Sequence, residues 1–128
     1  MADLETDLKK KLLHLFNNKK YSEIEFEIEL LGDVNKQPTQ IITIYATSKA
    51  LNTSSKKEDL IKAAYFFEKV YVSNKLNLDM LYNLIIVSIK SREYKYVSPH
   101  LIERYKVDNK DEKVLEALHK INFASGNI

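Results

Sequence analysis

Residues 78–111, LDMLYNLIIVSIKSREYKYVSPHLIERYKVDNKD, decide how the chain folds. Met80, Leu81, Leu84, Ile85, Ile86, Val87 and Ile89 recur at helical spacing and leave almost no polar face, as in a helix that is central or has a partner on its second side. A short polar turn follows, and then a second ladder carrying Tyr94 and Leu101. The same layout of ladder, turn and ladder returns along the chain. Its starts fall at Glu5, Thr39, Leu78 and Glu112, in steps of 34, 39 and 34 residues. A period of about 34 residues marks stacked helical hairpins, each too small to bury its own apolar face.

The composition agrees. A chain of 128 residues suits one domain. Two Gly and two Pro are too few for the turns of an all-β domain, so long helices with short connections are expected. A net charge of +2 does not point to a dedicated nucleic-acid binder. The lysine runs 9–11, 19–20 and 56–57 do not change this, because three consecutive lysines fan out over about 200° of a helix. With no cysteine, there is no disulfide framework, thiolate metal site or Cys nucleophile. The N-terminus has no apolar signal core, and no apolar run approaches the roughly 20 residues of a membrane helix. The expectation is a cytoplasmic protein with no membrane or nucleic-acid partner.

Working outward, the first helix is expected over residues 3–17, with Leu4, Leu8, Leu12 and Leu15 inward. The second is expected over 21–33. Residues 24–30 also alternate as a strand would, but Ile24, Ile28 and Leu31 continue the helical ladder; Gly32 then supplies a left-handed cap and Pro38 blocks continuation. The third helix is expected over 39–51 and the fourth up to Ser73, opened by a capping box of Ser55 and Glu58. The fifth spans 78–90. The sixth either starts near Glu93 and kinks at Pro99, or starts late at Ser98 with Pro99 in its first turn. The seventh spans 111–124, before a turn at Gly126.

With this register, the pattern resembles the tetratricopeptide repeat (TPR). Leu81, Leu84, Tyr94 and Leu101 in the third unit stand where the family places bulky apolar residues, as do Ile42, Tyr45 and Phe67 in the second and Leu8, Leu15, Tyr21, Ile24 and Ile28 in the first. Ala46 and Ala63 match its small positions, and Leu115, Leu118 and Gly126 the start of a last unit. Lys11 and Lys49 depart from it at positions normally apolar, and Leu12 and Ile85 replace a small residue. The resemblance implies an all-α, right-handed superhelical array of antiparallel helix pairs. It would form one domain over 1–128, with units 5–38, 39–77 and 78–111 and a half unit 112–128.

No constellation for catalysis stands out. His14, His100 and His119 each lie alone on a different helix, without a second ligand at metal spacing. Glu23, Glu25, Glu27 and Glu29 read as a solvated helix face. No phosphate loop or GxSxG is present, so the expectation is no enzyme, no metal and no cofactor.

What the resemblance implies instead is a concave groove lined by the first helix of each unit. Carried over by position, it presents Lys9, Leu13, Phe16, Ile44, Thr47, Tyr82, Asn83, Ile86, Ile89, Lys120 and Phe123 to a partner, with Phe16 and Tyr82 as anchors. The family's cationic grip on acidic C-termini keeps only Lys9, since Leu13, Ile44 and Asp79 stand at its other donor positions. The expected function is therefore a non-catalytic scaffold for a protein or peptide, such as an amphipathic helix, held in an apolar groove. Two alternatives remain: the N-terminal module of a larger bacterial enzyme such as a sulfotransferase or glycosyltransferase, and a self-associating protein that forms a homodimer through Leu115, Leu118 and Ile121 of its C-terminal helix.

Overall fold

The computed structural model describes the backbone of residues 2–125 and the side chains of residues 6–121. The described residues form seven α-helices and no strand: α1 (Ala2–Asn17), α2 (Tyr21–Glu29), α3 (Thr39–Leu51), α4 (Lys57–Ser73), α5 (Leu78–Ser91), α6 (Ser98–Val107) and α7 (Glu112–Ser125). A single 3-10 turn, Val34–Lys36, bridges α2 and α3. No described helix is long and apolar enough to cross a membrane. Packing is most extensive between α4 and α5, then between α3 and α4 and between α2 and α3, and α7 rests on both α5 and α6.

The core follows the helical ladders. Leu12, Ile24, Ile28, Ala63, Ala64, Leu81, Leu84, Leu101 and Val114 are fully buried. Ala63 and Ala64 let α4 approach its neighbours closely, with Phe67 and Tyr71 beside them. α5 buries Met80, Leu81, Leu84, Ile85 and Val87, as a central helix should, and leaves Ile86 exposed.

Two hairpin turns share one geometry. At the end of α1, Lys19 has φ 57°, its N–H donates to Phe16 O (3.0 Å), and Lys20 N–H donates to Leu15 O (2.9 Å). At the end of α5, Arg92 has φ 57°, its N–H donates to Ile89 O (3.3 Å), and Glu93 N–H donates to Ser88 O (3.2 Å). Both are Schellman caps, which satisfy the orphaned carbonyls of a helix end through one left-handed residue. A lysine and an arginine here carry the steric cost that glycine would avoid.

Several boundaries differ from expectation. α2 stops at Glu29 rather than near residue 33, so Leu31 does not extend its ladder and lies exposed. Gly32 adopts φ 105°, with its N–H on Glu29 O at 3.1 Å, but one turn after the helix has ended. The expected capping box of Ser55 and Glu58 does not form. Ser55 Oγ donates to Lys49 O at 2.6 Å, closing the end of α3, so Lys56 takes the N-cap position and its N–H donates to Asp59 Oδ2 at 2.9 Å. That backbone donor, followed by the cation of Lys49, holds the Asp59 carboxyl below its ordinary range. α6 starts late, at Ser98, with Pro99 in its first turn, where the missing N–H has no helical partner to lose. The turn expected at Gly126 lies outside the described residues.

Candidate functional site

Two recesses open beside the odd-numbered helices. One, of about 430 Å3, lies against α1, α3 and the start of α5; Leu13, Ile44, Val70 and Met80 supply its apolar surface, and Lys9, Thr39, Gln40, Thr43 and Asn77 its polar edge. The other, of about 240 Å3, lies between α5 and α7; it is lined by Tyr82, Ile85, Ile86, Ile89 and Ala117, with Lys113, Glu116 and Lys120 at the edge. Leu13 and Ile86 are more than half exposed, at 54% and 55%, which is high for large aliphatic side chains facing a concavity.

The sequence-predicted groove residues divide between these places. Lys9, Leu13 and Ile44 line the first recess. Tyr82, Ile86, Ile89 and Lys120 line the second. Phe16 lines neither: its half-buried ring meets Tyr21 edge-on at 5.7 Å and braces the α1–α2 hairpin. Thr47 is half-buried and donates to Thr43 O at 2.7 Å, and Asn83 is half-buried outside both recesses. The side chain of Phe123 lies outside the described residues. Val70, Met80 and Ile85 carry core spacing in the sequence, and only the helix packing turns part of each toward a recess.

Tyr82 has a structural role as well as a place in the recess. Its hydroxyl donates to Asp111 Oδ2 at 2.8 Å. Asp111 Oδ1 in turn accepts from the N–H groups of Lys113 (3.1 Å) and Val114 (3.3 Å), capping α7. Burial and the Asp111 carboxylate push the Tyr82 phenol above its ordinary value. Lys113 Nζ stands 4.4 Å from the centre of the Tyr82 ring, a cation–π contact across the recess edge. Tyr82, in the wall of the recess, thus joins α5 to the residue that caps α7.

Elsewhere, polar side chains join one helix to another. The acidic row of α2, which the sequence presents as a solvated face, reaches across to its neighbours. Glu27 pairs with Lys11 at 3.0 Å, Glu29 accepts the Tyr45 hydroxyl at 2.6 Å, and Glu25 accepts from Lys49 Nζ at 2.7 Å and from Asn52 Nδ2 at 2.8 Å. The Lys49 side chain, at a position normally apolar in the resembled family, is only 5% exposed. Its ammonium also lies 3.5 Å from Asp59 and 4.9 Å from the centre of the Tyr45 ring. Burial opposes its charge, but Glu25, Tyr45 and Asp59 outweigh that and lift it to about 12. Burial, with the Glu29 hydrogen bond, pushes the Tyr45 phenol to about 12 as well.

His100, expected to stand alone, lies between α4 and α6 with Nε2 at 2.8 Å from Glu68 Oε2 and its ring edge-on to Tyr71 at 5.4 Å. The partner is on another helix, so its sequence spacing gave no sign of it. Among the described residues, no three His, Asp or Glu side chains are grouped to hold a metal ion. Of the residues named for self-association, Ile121 is buried and Leu118 packs against the core, while Leu115 is 40% exposed.

No protein-family model matches the chain, and no curated protein or solved structure matches it either. Function therefore rests on the geometry above.

Proposed function

We propose that this chain is a non-catalytic scaffold: a TPR-like array of helical hairpins whose odd-numbered helices form one apolar face that binds a protein or peptide segment. The carrying observation is the pair of recesses beside α1, α3, α5 and α7, with Leu13, Ile44, Ile86 and Ile89 in their walls. The shared cap geometry at Lys19 and Arg92 supports the repeat register, because both residues stand at the position where that family carries a turn glycine. A helix laid along such a face would seat apolar anchors in the recesses and keep its polar face in water. Self-association through α7 is the weaker reading, since much of its proposed apolar surface is already used within the chain.

The test is affinity capture from the host, with the wild type beside Leu13→Asp and Ile86→Asp. Both positions are more than half exposed, so both variants are expected to fold. A protein retained by the wild type and lost from both variants supports a binding face. Equal retention by all three, with unchanged native mass, overturns it.

A further inference from the structure

We infer that the α5–α7 recess takes the apolar ridge of an amphipathic helix whose flanking residues are acidic. The inference rests on the scaffold reading above and names the chemistry of its partner. An apolar trough between two helices accepts a third helix side-on, and Ile86, 55% exposed, leaves room for it. The edge supplies the charge preference. Lys113 and Lys120 line it, and Glu116 is the one acid that does so among the described residues. Glu116 Oε1 lies 3.0 Å from Lys120 Nζ, so these two charges meet within α7 and Lys113 leaves the edge net positive. Lys113 is held 4.4 Å from the centre of the Tyr82 ring, at the recess rather than free in solvent. A helix with basic flanks would set cation against cation at this edge. Acidic flanks would meet donors beside the apolar floor, the arrangement that fixes orientation and speeds encounter.

The experiment is selection from a displayed library of amphipathic helices, with random apolar anchors and flanks drawn equally from acidic, basic and neutral residues. Wild type, Ile86→Asp and the double variant Lys113→Glu/Lys120→Glu are the targets. The expected result is enrichment of acidic flanks on the wild type, loss of enrichment on Ile86→Asp, and basic flanks on the charge-reversed variant. Selected acidic helices should bind that variant about tenfold more weakly at low salt, with the difference shrinking as salt rises. Enrichment of neutral or basic flanks on the wild type, still lost on Ile86→Asp, overturns the charge inference and leaves the scaffold reading standing. No enrichment on folded wild type overturns both.

Discussion

Replacing Lys49 with methionine tests the interior most sharply. Methionine keeps the packed stem and removes the ammonium. Glu25, 13% exposed, then loses its 2.7 Å cation and keeps Asn52 Nδ2 at 2.8 Å. Removing one partner of a buried pair costs about 3–5 kcal/mol because the other charge stays behind; the surviving Asn52 bond places Lys49→Met near the lower end, about 3 kcal/mol. In Glu25→Leu/Lys49→Met both charges are gone, and stability should return to within about 1 kcal/mol of wild type. Urea melts of wild type, both single variants and the double variant give the coupling energy. A pH arm reads the same cluster. Lys49 and Tyr45 both hold their protons up to about pH 12 in the folded chain, against ordinary values of 10.5 and 10.0. The folded state therefore binds more protons than the unfolded state between about pH 10 and 12. The contribution is fully present below that window and is lost as pH rises through it, with a total fall of about 3 kcal/mol for two groups in contact. Lys49→Met should remove the lysine's share of that fall and leave the tyrosine's, because burial and Glu29 raise the Tyr45 phenol while Lys49 lowers it. A Lys49→Met cost below about 1 kcal/mol, or wild-type stability that stays level from pH 10 to 12, would refute the argument.

Three further outcomes are expected. Lys19→Gly and Arg92→Gly should each raise stability by about 0.5–1 kcal/mol, relief of the left-handed strain exceeding glycine's extra unfolded-state entropy, and the gains should add; calorimetry showing a loss at both would deny the shared turn geometry. Ala63→Leu should overpack α4, where Ala63 is fully buried, and cost about 1–3 kcal/mol, so a variant as stable as its parent would disprove the close approach. Tyr82→Phe removes the hydroxyl that meets Asp111, whose side chain is 7% exposed; chemical denaturation should register a loss of about 1–2 kcal/mol, with capture of a groove partner unchanged. Capture that fails in a stable Tyr82→Phe protein would instead make that hydroxyl a partner contact.

Local signals were legible wherever one stretch of chain could satisfy them. α3 begins and ends as its sequence indicates, since Pro38 and the polar run from Asn52 act on their own neighbours. The two ways of starting α6 differed in where one missing N–H would fall, and the structure takes the late start. α2 ends earlier than its ladder because Leu31 has the right spacing but no core behind it. Ser55 has the spacing of a cap, and spacing cannot reveal that the Lys49 carbonyl claims its hydroxyl first.

The sequence by itself determined the all-α class, the helix count and the alternation of long helices with short turns, because apolar period, turn residues and composition are properties of the chain alone. Tertiary structure decided which apolar residues remain open. Leu13 and Ile86 stay exposed while Ile42 and Leu84, with similar spacing, are buried. It also decided that Lys49 is interior and that Tyr82 is a strut between α5 and α7. Their partners, Glu25 and Asp111, lie on other elements of the fold, and proximity across helices is set by how faces pack, which no local pattern records.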